Sequence, residues 1–206
     1  MSEESHGLRE RRRRETTSEI QRVTIDLLET RGWEATTVAD IAHTAGISPR
    51  TFFRYFDSKE QAALPGQRRL WLAVNSFSTE EHTLEAVTLE VERVLRAAML
   101  GSTDSAEIEV HRRVARLFQT GPHLYAVASA QDAEFVSALR ERCIALLPDT
   151  DVTLLHGLAE SAMAIWRTAW WHWGTQLSST PSALPTDSFS AAIVAVRGAV
   201  TSVTPS

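Results

Sequence analysis

Residues 36 to 61, TTVADIAHTAGISPRTFFRYFDSKEQ, crowd three helix-start signals together, and only short helices joined by tight turns can satisfy them all. Thr37-Val38-Ala39-Asp40 reads as a capping box, Thr37 the N-cap and Asp40 reaching back to it. The helix behind it, roughly 38 to 44, would bury Val38, Ile41 and Ala42, and Ala45-Gly46-Ile47 makes a tight turn. Ser48 is a strong N-cap, and Pro49 takes the first helical position, where its missing N–H is no loss. A helix of about two turns then closes at Asp57-Ser58, and Ser58-Lys59-Glu60-Gln61 opens the next with a second capping box. Upstream, Ile20, Val23, Leu27 and Leu28 form the apolar stripe of a helix running from about Leu8 to Arg31. Gly32 stops it, and Trp33 plugs the exit turn against the core. Two short helices joined by a glycine turn behind a longer one form the helix-turn-helix arrangement. A plain helical hairpin in an all-α protein has the same periodicity, so on spacing alone both readings stand.

The rest of the chain reads as helix too. Strand alternation is absent, and helices are expected at roughly 65–77, 80–99, 105–119, 123–147, 151–174 and 187–203. Pro122, Pro148, Pro181 and Pro185 fall at the breaks, and Ser178 to Asp187 is a Ser/Thr/Pro loop. Pro65-Gly66 interrupts the helix after Lys59 early. The fold class is all-α, and three segments follow: a disordered basic arm at 1–15, a helix-turn-helix domain at 16–62, and a second helical domain at 63–206.

On a helix at about 100° per residue, Phe52 and Phe56 share one face with Phe53 alongside, and Ile47 enters from the turn. Pro49, Arg50, Thr51, Arg54 and Tyr55 face outward. Arginine suits bidentate reading of a guanine edge, and a helix fits the major groove. The pattern Thr36-Thr37-Val38, Ile41-Ala42, Ala45-Gly46-Ile47-Ser48, Thr51-Phe52-Phe53, Phe56, Ser58-Lys59-Glu60 resembles the DNA-binding domain of the tetracycline-repressor (TetR) family of bacterial regulators. The resemblance implies a three-helix DNA-binding domain followed by a helical ligand-binding and dimerisation domain. It further implies a phosphate contact at Thr37, base-facing positions at Pro49 and Arg50, a phosphate or base contact at Thr51, and a phosphate-binding lysine at Lys59. Ser48, Arg54 and Tyr55 complete the expected DNA-facing set. One position departs from the family: Phe53 stands where a tyrosine is usual and has no hydroxyl for a phosphate, and Tyr55 is the expected replacement. Arg11 to Arg14 are either an arm that tracks the DNA backbone or minor groove, or a solvated tail.

Composition sets the outer limits. The net charge of −5 carries no global signature of nucleic-acid binding, and residues 1 to 60 hold 10 basic and 11 acidic side chains. The single cysteine, Cys143, excludes an intrachain disulfide, reads as a buried structural thiol and fits a reducing cytoplasm. No run approaches the roughly 18 apolar residues of a membrane span, and no apolar segment follows the N-terminal arginines as a secretory signal would require. The nine glycines are isolated, no GxSxG occurs, and the seven histidines lack zinc spacing, so an enzyme is not expected and neither metal nor cofactor is called for. His156 and Glu160 read as a surface ion pair.

In the C-terminal half, the helix at 151–174 is apolar over more than one stripe, with His156, Glu160 and Arg167 as its polar stripe. The last helix shows Phe189, Ile193, Val196 and Val200 among small residues. These two helices are expected to pair with their copies in a homodimer, placing two recognition helices about 34 Å apart on a palindromic operator. Trp71, Phe77, Phe118, Tyr125, Phe135, Trp166 and Trp170 are the candidate lining of a cavity for an apolar or aromatic effector, with plain core as the competing reading. The function expected is a repressor of transcription, repression being the family's usual mode, released from double-stranded DNA by a small effector. The alternative is a helical ligand-binding protein without DNA activity.

Overall fold

The computed structural model describes residues 2–100, 105–120, 122–176, 179–180 and 183–201, and among them every regular element is helical. Ten helices follow in order: α1 (Ser2–Arg31), α2 (Val38–Thr44), α3 (Pro49–Phe53), α4 (Lys59–Ala63), α5 (Gln67–Ser76), α6 (Leu84–Leu100), α7 (Ser105–Thr120), α8 (Pro122–Leu146), α9 (Val152–Gln176) and α10 (Pro185–Thr201). They fall into two compact units, Met1–Pro65 with Asp104–Tyr125, and Gly66–Thr103 with Ala126–Ser206.

The first unit is built on α1. Ile20, Val23 and Leu27 meet Ile41, Ala42, Phe52, Phe56 and Ala62 in one core, with Val38, Ala45, Ile47 and Tyr55 packed at its edge. The capping box at α2 is present as expected: Asp40 N donates to Thr37 Oγ1 at 3.2 Å, and Thr37 N donates to Asp40 at 3.0 Å. Ser48 caps α3, accepting from Thr51 N at 3.1 Å, with Pro49 at the first helical position. Gly46 takes the turn between them at φ 67, a left-handed conformation open to glycine. Ser58 accepts from Gln61 N at 3.3 Å, but the Gln61 side chain bonds Asp57 instead of reaching back to Ser58, so the second capping box is half formed.

Three expectations are corrected here. Residues 2–15, in the segment expected as a disordered arm, belong to α1, which starts at Ser2; Arg11 pairs with Glu15 one turn on, and the run offers few residues that oppose helix. The α-helical part of α3 ends at Phe53, and Arg54 and Tyr55 form a turn that delivers Phe56 to the core. Finally, α7 lies in the first unit and not with the C-terminal helices: it packs on α1, where Arg113 bonds Asp26 at 2.6 Å and Glu29 at 3.1 Å. The two carboxylates raise the pKa of the guanidinium further above its already high value.

In the second unit, α5, α6, α8, α9 and α10 enclose a core that includes Leu70, Val91, Leu95, Leu139, Leu155, Met163 and Phe189. Gly66, at φ 84, opens α5 directly after Pro65, so the expected break between α4 and α5 is present. Cys143 is buried here, and burial pushes its thiol up to about 11. The last two helices, α9 and α10, lie against each other, and Trp173 Nε1 donates to Ala183 O at 2.9 Å across the connection between them. Ser178 and Pro181, read as part of that connection, lie outside the described residues. Among the described residues no helix is long and apolar enough to cross a membrane.

Candidate nucleic-acid interface

A continuous outward surface forms where α2 and α3 meet. Phe52 is fully buried and anchors α3, and Phe56 stacks 5.8 Å from it. Thr37, Ser48, Pro49, Arg50 and Arg54 are exposed, and Thr51 is half-buried. Arg50 makes no ion pair among the described residues, so its guanidinium is presented to solvent from the α3 surface. Thr37 and Ser48 are engaged with their own helices through the caps described above. The Ser48 hydroxyl also lies 3.0 Å from that of Thr51, which fixes both groups at the start of α3.

Phe53 does not follow the expected face. It is 54% exposed, and its ring meets the edge of Phe52 at 5.5 Å and 89°. A shift of one position on a helix rotates a side chain by about 100°, so burying Phe52 turns Phe53 away from the core. Tyr55 goes the other way. It packs on the core beside α1, and its phenol lies against Thr16 and Arg54, where hydrogen bonding and the charges of Arg54 and Arg13 lower its pKa from the usual tyrosine value. Arg54 stacks over the Tyr55 ring at 5.3 Å. Tyr55 is thus half-buried at the edge of this core and does not stand fully outward.

Lys59 is also engaged. Its ammonium donates to Trp33 O at 2.9 Å and to Thr36 O at 3.0 Å, and sits 4.7 Å over the Trp33 ring. One lysine thereby clamps the loop between α1 and α2 to the start of α4, a role that its place at a helix start did not suggest.

The expected effector aromatics are divided between the two units. Phe118 and Tyr125 belong to the first unit, and the other five aromatics to the second. Trp71 meets Phe135 at 6.0 Å, while Trp166, Trp170 and Trp173 form an edge-to-face ladder at 5.8 and 5.5 Å. Phe77 is buried under the Arg142 guanidinium, which also bonds its carbonyl at 2.7 Å. One turn before Phe135, Asp132 is buried and meets Arg167 at 3.3 Å; burial raises its pKa, against the pull of the arginine. The second unit's large groove, about 780 Å³, lies elsewhere, between α6, α9 and α10, with Leu84, Val91, Leu154, Leu158, Ile165 and Val196 in its walls.

Of the expected dimer residues, Phe189 has no surface left to offer, being fully buried under Arg96, and Ile193 packs on its own core. Arg167 is spent on Asp132. His156 and Glu160 are exposed and 3.8 Å apart, and Val196 edges the groove. The Val200 side chain lies outside the described residues. On α10 the exposed residues include Ala191, Val194, Ala195 and Gly198, and on α9 they include Leu154, Gly157 and Ser161. Phe189, Ile193 and Val196 thus contribute to the monomer's own core.

This geometry, a buried aromatic anchor with basic and small polar groups displayed from the second of two short helices, defines a helix-turn-helix DNA-binding protein. The family described as "Bacterial regulatory proteins, tetR family" matches residues 20–62. The chain is 30% identical over 178 residues to the regulator MftR of Mycobacterium tuberculosis, named for mycofactocin biosynthesis; the match covers 78% of this chain and 85% of that one. It is 32% identical over 124 residues to the HTH-type transcriptional regulator TcmR of Streptomyces glaucescens, covering 58% of this chain but only 55% of that protein's length. The solved structure of the fatty acid degradation regulator FadR of Bacillus halodurans overlaps it loosely, with a TM-score of 0.44 at 13% identity over 89% of this chain and 95% of that one. The chain belongs to the TetR family of bacterial regulatory proteins, which are DNA-binding transcriptional regulators.

Proposed function

We propose that this protein is a cytoplasmic repressor that binds a palindromic operator as a homodimer and releases it when a small molecule occupies the second unit. The observation that carries the reading is the division of labour in α3 and the turn after it: Phe52 and Phe56 are spent on the core, while Pro49, Arg50 and Arg54 are presented to solvent. Arg50 would read a guanine edge and Thr37, Ser48 and Thr51 would meet phosphates. Two-fold pairing through the exposed small-residue faces of α9 and α10 would set the two α3 helices about one DNA turn apart. For the effector, the aromatic pairs Trp71–Phe135 and Trp166–Trp170 favour an apolar or aromatic body, and the adjacent Asp132–Arg167 pair supplies a polar anchor.

The test is selection of bound duplexes from a random-sequence library with the full-length protein, followed by gel-shift titration. A palindromic consensus bound tightly over random DNA is expected, and a protein that enriches no sequence overturns the reading.

A further inference from the structure

Next to Pro49 and Arg50, the proposed base-reading surface carries a large apolar side chain, Phe53, and its environment leaves a narrow choice of role. More than half of its surface is exposed, it follows Arg50 by one helical turn, and its ring is held by the edge contact with the buried Phe52. Phenyl has no donor, so Phe53 cannot hold a phosphate oxygen as a tyrosine at that position would. In the major groove the one methyl group on a base edge is the C5-methyl of thymine, and apolar contact with it is how a phenylalanine discriminates bases.

We propose that Phe53 is a specificity residue that selects a thymine by covering its C5-methyl group. The inference rests on the DNA-binding reading above and adds a base that no polar contact on α3 would choose. The register follows from the helix. Side chains one turn apart stand about 5–6 Å from each other. Successive bases on a strand are about 3.4 Å apart. The thymine therefore lies about one or two steps from the guanine read by Arg50, in each half of the operator. The contact is fixed in advance, because Phe52 cannot leave the core without taking the helix with it.

Replacing a thymine by deoxyuridine removes the methyl and leaves pairing and hydrogen-bonding groups intact, so the test needs no change in the protein. With the operator obtained by selection, each thymine is replaced in turn and affinity measured by fluorescence anisotropy. One position per half-site is expected to lose about fourfold in affinity, the worth of one buried methyl, and about fifteenfold when both halves are changed. Phe53→Ala should bind the thymine operator more weakly and lose the discrimination at that position; its fold is checked by its thermal melt. If no thymine within reach of α3 responds to the replacement, or if Phe53→Ala keeps the same sensitivity, the proposal is overturned. Failure to select any operator would overturn the DNA-binding reading instead, so the two failures are distinct.

Discussion

Lys59 is the side chain whose expected and observed roles differ most, and replacing it by methionine separates them. The substitution keeps an unbranched stem against Trp33 and deletes the ammonium, leaving the carbonyls of Trp33 and Thr36 without the donors at 2.9 and 3.0 Å. Hydrogen bonds to a charged donor contribute about 1.5–3 kcal/mol each when sheltered, and the half-buried setting here brings each to about 1. The lost cation–π contact adds about 0.5 kcal/mol more. The sum, about 2–3 kcal/mol, lowers the melting temperature of a domain this size by roughly 4–10 °C. Thermal unfolding followed by far-UV circular dichroism gives the number directly. Lys59→Arg should recover part of the loss, because a guanidinium can still donate to both carbonyls. A Lys59→Met protein melting within about 1 °C of wild type would show that the loop between α1 and α2 does not depend on the lysine, and the clamp would be wrong. Below its melting temperature the variant should also bind operator and random DNA in equal proportion more weakly, with a salt slope flatter by about 0.9 per lost phosphate contact, if the third ammonium proton meets a phosphate.

Arg50→Ala should weaken operator binding by about 1–3 kcal/mol and relax the preference at one base pair, as read by titration against single-site operator variants; an equal loss on random DNA would contradict base reading. Arg113→Met should loosen α7 from α1 and lower the urea midpoint by the equivalent of about 1–2 kcal/mol, with Asp26 still paired to Arg22 and Glu29 left alone. Asp40 has its pKa lowered by its hydrogen bonds with Thr37, so its stabilising effect is complete above the usual carboxylate range and is lost as pH falls through the folded-state value. Asp40→Asn should therefore flatten the fall in urea midpoint below about pH 4, and an unchanged acid limb would remove the linkage.

Where the chain's local chemistry decides a structure, the residues announce it. Thr37, Ser48 and Pro49 act on backbone groups within three positions of themselves, so their caps and the two short helices could be read directly. The start of α1 was harder, because an arginine run is compatible with both a tail and a helix. Phe53 was misplaced by grouping it with Phe52 and Phe56: it lies about 100° round from Phe52 at the last position of a short helix, and its ring turns outward. Arg113 with Asp26, Lys59 with Trp33, and Asp132 with Arg167 join residues far apart in sequence, and no spacing rule brings such partners together. The faces of α9 and α10 were legible as apolar, but which side turns to the monomer's own core depends on what α6 and α8 supply.

The assignment of α7 to the first unit has a consequence for how the molecule is made. The polypeptide passes from one unit to the other at Pro65, at Thr103 and again at Tyr125, so neither unit is a continuous length of chain. A ribosome that has released only the first 65 residues has not yet supplied the helix that carries Arg113, and Asp26 and Glu29 wait without it. The head of this regulator can be finished only after part of its body has been synthesised. A gene fragment cut at the helix-turn-helix boundary would encode the recognition helix without the strut behind it.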